Sequence, residues 1–354
     1  MDIKDNVSLA GLTSLACGGK AKQLIQASNS DELIEFLNSR DDIGGKDTEG
    51  GLYVLGYGTN VLVSDNGLDK VLVLRGGDIS LEDNLVIADG GLWWDDLVQY
   101  VVNKGLWGVE LMSGIPGNVG AAVAGNIAAY GQAVADSLAW VEVYDLVSKE
   151  IGRLEARDLG LGYRCSDFQT DRLKNKLITK AAFSLPDKPT TELAYQSALD
   201  VASELGLNPE LLYDCRQIIL EARGRAGSIY VPGGNHANSA GSFFKNPLVT
   251  KEQAEHLMSF DESGKTAKQL SEQNKLHGGD DLRVSAAHVL LAAGFKRGQS
   301  WGAIRLHPQH VLKIENTGGA KAADVYSVAL KIMQTVRDKL GIDLEPEVKF
   351  IGEF

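Results

Sequence analysis

At 354 residues the chain exceeds one average domain, which predicts two or three lobes. Hydrophobic residues make up 44% and charged residues 23%, a balance that builds an ordinary core without disulfide staples. A formal charge of −12 excludes nucleic acid or an anionic membrane as the main partner and leaves room for an anionic small molecule in a locally basic cleft.

In chain order, "MDIKDNVSLAGL" shows no basic start followed by an apolar stretch, and no window approaches the ~18 apolar residues of a membrane span. The expectation is a soluble cytoplasmic protein. "DELIEFLNSR" reads as a helix with Ser28, Asn29 or Ser30 available as cap. Apolar, β-branched runs then alternate with glycine turns: "LYVLGYG", "VLVSD", "KVLVLRGG" and "LVIADGG" are short strands. "WDDLVQYVVNKG" predicts a helix closed by Gly105, and "WVEVYDL" and "KLITKAAFSL" predict further strands. "PDKPTTE", 186–192, reads as a linker. Beyond it, "SALDVASELGLN", "PELLYDCRQIILEARGR" and "AAHVLLAAG" are helical and "HVLKIEN" is a strand. "DVYSVALKIMQTVRDKLG" carries one apolar stripe, Val325, Val328, Ile332, Val336 and Leu340, with Gly341 at its end. "EVKFIG" is the last strand.

Cys17, Cys165 and Cys215 are odd in number and lack CxxC spacing, which reads as reduced thiols. His307 and His310 lie three apart with no third ligand type nearby, so no metal is expected.

Five stretches can carry chemistry. In "VLGYGTNVLVSD", Gly56 and Gly58 allow a bend whose N–H groups converge, with Tyr57, Thr59 and Asn60 beside them. Read alone it is either a glycine hairpin or a phosphate loop. "LMSGIPGNVGAAVAGNIAAYGQ" pairs a sharp Gly114–Gly117 turn with small residues at Gly120, Ala121, Ala122, Ala124 and Gly125. Such a run suits tight packing or close approach of a planar cofactor, with Asn126, Tyr130 and Gln132 offering hydrogen bonds. Arg164 in "LGYRCSDFQ" needs a partner, either a structural carboxylate or a substrate one. Ser242 in "GSFFKNP" reads as a turn serine or as a proton donor in a dry pocket. Glu347 in "LEPEVKFIG" opens an apolar strand, a place for a solvated carboxylate or an employed one.

Taken together, "LGYGTNVLVSD", "SGIPGNVGAA…NIAAYG", "GYRCSDF", "SAGSFFKNP" and "EPEVKFIG" resemble the UDP-N-acetylenolpyruvoylglucosamine reductase family (UDP-N-acetylmuramate dehydrogenases), from about Leu15 to Gly352. The resemblance implies an α+β fold. An FAD lobe of the vanillyl-alcohol-oxidase (PCMH) type would occupy 1–187, in two subdomains of about 1–75 and 76–187. A smaller substrate lobe would occupy 188–354, its last strand, 345–352, returning to the FAD lobe. It implies a monomeric oxidoreductase of peptidoglycan synthesis, serving cell-wall biogenesis, cell shape and division. FAD would be held non-covalently, with NADPH as reductant and a nucleotide sugar as substrate. Matching positions make Ser242, Arg164 and Glu347 catalytic. Tyr57, Gly58, Thr59, Asn60, Ser113, Gly114, Ile115, Pro116, Gly117, Gly120, Asn126, Tyr130 and Gly131 would face the cofactor. Tyr195, Lys245, Asn246 and His310 would face the substrate. The chain departs from the family at a lysine it usually carries before the serine motif. Ala226 stands there, and Arg225 beside it is assigned to phosphate. The "NxGAYG" run reads "NIAAYG", so Ala128 must avoid positive φ.

Overall fold

The computed structural model describes residues 1–40, 51–82, 85–231, 233–234, 236–258 and 282–354. Contacts divide the chain into two units. The first comprises Met1–Val7, Ala21–Gly58 and Leu68–His236; the second comprises Ser8–Lys20, Thr59–Gly67 and Ala237–Phe354.

In the first unit, a four-stranded sheet runs in the order Asp2–Ser8, Lys20–Ala27, Leu68–Leu74, Leu52–Leu55. Its last three strands are parallel, so each needs a crossover. The helix Ser30–Asn38 supplies one. Asn29 caps it, its side-chain oxygen accepting the Glu32 N–H at 2.8 Å, and Leu33 and Leu37 are buried. The second sheet is antiparallel and five-stranded: Ile151–Glu155, Leu138–Asp145, Lys176–Ser184, Leu85–Asp89, Ile79–Glu82. The helices Trp94–Asn103, Val119–Gly125, Gln196–Leu205 and Leu212–Arg225 share its core, bringing Trp94, Val123, Val201, Ile218 and Ile219 together with Phe183.

This shared core is why the units do not follow the 187/188 boundary read from the linker. Residues 188–236 bury their apolar helix faces on the sheet of the first unit.

The second unit is built on the helix Ala322–Leu340. All five residues of its apolar stripe are buried, and Gly341 ends it in the left-handed region at φ 65°. Asp65 accepts the first N–H groups of this helix, Ala322 at 3.0 Å and Ala323 at 2.9 Å. Lys349–Ile351 pairs in parallel with Val61–Val63. Leu15, Cys17 and Leu62 join Phe243, Phe244 and Ile332 in its core.

Several strands escape the sequence pattern, Ile151–Glu155 and Ile304–Leu306 among them. Asp2–Ser8 is a polar edge strand with almost every residue exposed, so it shows no alternation. Lys20–Ala27 and Ile79–Glu82 also lie outside the runs read as strands. "HVLKIEN" is strand only over Ile314–Asn316, because 307–313 turn back on themselves through the His310 N–H to His307 and Lys313 N–H to His310 bonds. The small-residue run becomes a true helix, Val119–Gly125. Among the described residues no helix is long and apolar enough to cross a membrane.

Candidate active site

The glycine turn after Leu52–Leu55 is shaped by a residue far along the chain. A Cβ on Gly56 would stand 2.8 Å from the Asn118 side-chain oxygen, so only glycine fits. Asn118 is locked in turn: its Oδ1 accepts the Ala121 N–H at 2.9 Å as helix cap, and its Nδ2 donates to the Leu74 carbonyl at 3.0 Å. Gly58 takes φ 64°, open to glycine at no steric cost. Arg75 donates from Nε to the Gly56 carbonyl at 3.1 Å and lies 4.8 Å over the Tyr57 ring, which meets Trp93 edge-on at 4.5 Å. Burial lowers the Arg75 pKa and raises that of the Tyr57 phenol. Asn118 and Arg75 stand outside the residues the sequence motifs single out. An asparagine directly before a run of helix-forming small residues was the signal for the first.

In the 113–131 stretch, two small residues are closely covered by the chain itself. A Cβ on Gly114 would meet Ile229 at 2.8 Å and Leu220 at 2.9 Å, and one on Gly120 would meet the Gly90 carbonyl at 3.1 Å. Smallness at these two positions serves packing of the chain on itself. The Gly114 N–H goes to Asp95 at 2.7 Å, and Asp95 also receives both arms of Arg216 at 2.8 and 2.7 Å. Ser113 donates to the Glu110 carbonyl at 2.6 Å, and the Gly117 carbonyl accepts from Trp94 N–H at 2.9 Å. The Gln132 carboxamide donates to buried Glu110 at 2.7 Å and accepts the Leu111 N–H at 2.9 Å, so it is engaged structurally. Ala128 sits in the short strand Ala128–Ala129, and the left-handed positions fall instead on Asn126 (φ 41°), Tyr130 (φ 50°) and Gly131 (φ 93°).

Arg164 occupies φ 53°, costly for a residue with a Cβ. It sits in a tight loop where Gly162 and Cys165 exchange backbone hydrogen bonds at 3.0 and 3.2 Å. Asn126 holds that loop: its Nδ2 donates to the Gly162 carbonyl at 2.7 Å while its Oδ1 accepts the Ala135 N–H at 3.0 Å. Ser166 and Gln169 add bonds to the Ala124 carbonyl at 2.6 and 2.8 Å. Tyr130 and Tyr195 stack edge-to-face at 5.3 Å. Burial raises the Tyr195 phenol, as does Tyr163, and the Arg164 charge opposes them. Arg164, Tyr130, Tyr195 and Asn126 therefore form one constellation. Arg225 is apart from it, exposed and paired with Glu204 at 2.5 Å and Glu221 at 2.8 Å.

In the second unit, Gly241 takes φ 76° and turns the chain into an extended run. Phe243 N–H donates to the Leu312 carbonyl at 2.9 Å, Glu347 N–H to the Phe243 carbonyl at 2.8 Å, and Lys245 N–H to the Glu345 carbonyl at 2.9 Å. These bonds bring the extended segments that carry Ser242 and Glu347 side by side, with Glu347 across from Phe243. Phe243 and Phe244 are wholly buried, anchoring the run in the core while Ser242 stays half-buried. Asn60 joins the same edge, donating to the Glu347 carbonyl at 3.3 Å and accepting from Lys349 N–H at 3.0 Å. Thr59 accepts from Ser14 at 3.3 Å. Lys245 pairs with Glu345 at 2.6 Å, and the Asn246 Oδ1 accepts the Ala286 N–H at 2.9 Å. Burial, then the charges of Lys313, Arg297 and His307, push His310 down to about 4, so it is neutral near pH 7.

The family description "FAD binding domain" matches residues 22–149, and the C-terminal domain of UDP-N-acetylenolpyruvoylglucosamine reductase matches 234–351. With the two-lobed α+β fold, these matches define an FAD-dependent oxidoreductase. Relatives named UDP-N-acetylenolpyruvoylglucosamine reductase include that of Mycobacterium marinum, 32% identical over 99% of this chain and 95% of the relative. That of Thermobifida fusca is 32% identical over 98% and 97%. The crystal structure of the Thermus caldophilus UDP-N-acetylenolpyruvylglucosamine reductase superposes with TM-score 0.65 at 24% identity, covering 99% of this chain and all of that one, a likeness of fold. The chain belongs to the UDP-N-acetylenolpyruvoylglucosamine reductase family.

Proposed function

We propose that this chain reduces the enolpyruvyl ether of UDP-N-acetylglucosamine enolpyruvate to the lactyl ether of UDP-N-acetylmuramate, with NADPH as reductant, in peptidoglycan precursor synthesis. Family membership over nearly the whole chain supports the reaction class. The observation that supports the residue assignment is the backbone pairing that sets Glu347 across from Phe243, next to Ser242, at 2.8 Å from Glu347 N–H to the Phe243 carbonyl.

FAD, when bound, supplies the hydride. The residues present fit such a group: a glycine-only turn at Gly56–Gly58 beside a cation and aromatic rings, and a buried guanidinium nitrogen on Arg223 with no acceptor among the described residues. Tyr57, Gly58, Thr59, Asn60 and the 113–131 stretch would hold it.

This chain's own groups do the rest. An enolpyruvyl carbon accepts hydride poorly unless charge building on its carboxylate is stabilised. Arg164, fixed in its left-handed loop by Asn126, is the fork for that carboxylate. Ser242 is the general acid that protonates the neighbouring carbon, and Glu347 completes the hydrogen-bond network around the acid. Tyr195 and neutral His310 face the nucleotide sugar. Lys245 and Asn246 brace the serine strand through Glu345 and the helix Ala286–Ala292.

The test is anaerobic and optical. The FAD-loaded protein is yellow, bleaches with NADPH, and regains colour with the enolpyruvyl nucleotide sugar. Recolouring with no such substrate refutes the proposed acceptor, and failure to take up FAD refutes the flavin assignment.

A further inference from the structure

Regular strand pairing would set a different residue against Leu312 than the one found there. The run that leads into Ser242 lies antiparallel to Ile314–Asn316, with Ser239 bridged to Glu315. The Asn316 N–H donates to the Asn238 carbonyl at 2.9 Å, and the Asn238 side chain donates back to the Asn316 carbonyl at 3.2 Å. Continued without interruption, this register brings the Ser242 N–H to the Leu312 carbonyl. It is the Phe243 N–H that arrives there, at 2.9 Å. One extra residue therefore lies between Asn238 and Phe243. This is a β-bulge, and Gly241 within it takes φ 76°.

Both ends of the bulge are pinned. Before it, the Asn316 side chain donates to the Leu15 carbonyl at 2.9 Å and accepts the Gly318 N–H at 2.9 Å. Glu315 receives Arg305 in two bonds of 2.6 and 2.9 Å. After it, Phe244 is bridged to Pro346. A shift of one residue turns each side chain to the opposite face. Ala240 is buried, and in an unbroken strand Ser242, two residues on, would share its face. The bulge breaks that alternation, so that Phe243 is buried and Ser242 is left half-buried. A Cβ on Gly241 would meet nothing within 4 Å. Space does not demand glycine here, unlike at Gly56. The positive φ does, because a residue with a Cβ is disfavoured in that conformation.

We propose that Gly241 is a positioning residue for the reaction: its left-handed turn makes the bulge that takes Ser242 off the core face and presents the hydroxyl as the acid. The inference rests on the reading of Ser242 as that acid.

Because the space around Gly241 is open, substitutions there test the backbone and not the bulk of the side chain. Asparagine enters the left-handed region more readily than alanine, so the larger residue is the milder change. The experiment follows both half-reactions of the full FAD-loaded chain by stopped-flow absorbance. Gly241→Ala leaves reduction by NADPH at the unsubstituted rate and slows reoxidation by the enolpyruvyl nucleotide sugar by about 10–10²-fold, the cost of a misplaced reacting group. Gly241→Asn keeps most of the reoxidation rate. In the Ser242→Ala background, Gly241→Ala slows reoxidation no further, because the glycine acts through the hydroxyl. Reoxidation at the unsubstituted rate in Gly241→Ala overturns the proposal. So does equal damage to both half-reactions, or an additive loss in the double variant. Where Gly241→Ala does not fold, Gly241→Asn decides: a protein that is unfolded, or folded but without reoxidation, overturns the proposal too. Normal reoxidation in Ser242→Ala is a different result, the failure of the serine reading itself.

Discussion

The Glu347 N–H donates to the Phe243 carbonyl at 2.8 Å, and Phe243 in turn donates to the Leu312 carbonyl at 2.9 Å. The extended segment 241–245 is thus held on both sides, by 345–347 and by the loop after His310. An alcohol on that segment is positioned by backbone, with little freedom to drift. A proton donor to carbon needs that, because its geometry must survive a change of charge next to it.

Ser242→Ala removes the hydroxyl and leaves the ladder intact. We expect flavin reduction by NADPH at an unchanged rate, and reoxidation by the enolpyruvyl substrate slowed by about 10²–10⁴-fold, the usual contribution of a general acid. Stopped-flow absorbance separates the two half-reactions. Reoxidation at the unsubstituted rate removes Ser242 from the mechanism.

Gly56→Ala forces its Cβ to within 2.8 Å of the Asn118 oxygen unless the backbone moves. Because Asn118 is fixed by bonds to Ala121 and Leu74, the cost is about 1–3 kcal/mol, as for overpacking. Adding Asn118→Ala loses a cap worth about 1 kcal/mol but relieves the clash. Urea unfolding of both single variants and the double variant should show the double more stable than the sum of the singles predicts. Strict additivity would mean that the two sites do not meet.

Much of this was legible beforehand, for physical reasons that differ by element. The helix Ala322–Leu340 announced itself because its stripe is buried on one side only and a glycine ends it. Asp2–Ser8 did not, since an exposed polar edge strand carries no periodic signal. Ser242 and Glu347 could be picked out as motifs, but their adjacency comes from a pairing between residues about a hundred positions apart, which no local pattern encodes. The small residues at Gly114 and Gly120 were visible, whereas what fills the space over them is Leu220, Ile229 and the Gly90 carbonyl, known only from the fold. Arg225 could be read only by its place beside Ala226; its pairing with Glu204 and Glu221 is known only from the fold.

Asn126 is a positioning residue for Arg164. It ends the helix Val119–Gly125 in the left-handed region and bonds the Gly162 carbonyl at 2.7 Å. Asn126→Gly keeps the backbone freedom and loses the bonds; Asn126→Ala loses both. We expect destabilisation of about 1–2 kcal/mol for the first and more for the second. If the loop aims Arg164, both variants raise KM for the enolpyruvyl substrate while leaving NADPH reduction of the flavin unchanged. Equal damage to both half-reactions would point to a general loss of structure.

His310 gives the fold an acid-sensitive component whose sign follows from its environment. Burial first, then Lys313, Arg297 and His307, push it from 6.5 down to about 4 in the folded chain. His307 is lowered too, chiefly by burial. Between those two pH values the unfolded chain binds a proton that the folded chain refuses. Stability therefore stays level above about pH 6.5 and falls as the pH drops toward 4. The His310 contribution at pH 5 is at most about 2 kcal/mol, reduced by its partial exposure. His310→Gln should flatten the fall between pH 7 and 5 in urea-unfolding midpoints, leaving the smaller His307 slope. A variant as acid-sensitive as the unsubstituted protein would show that His310 is protonated in the folded state and meets solvent freely.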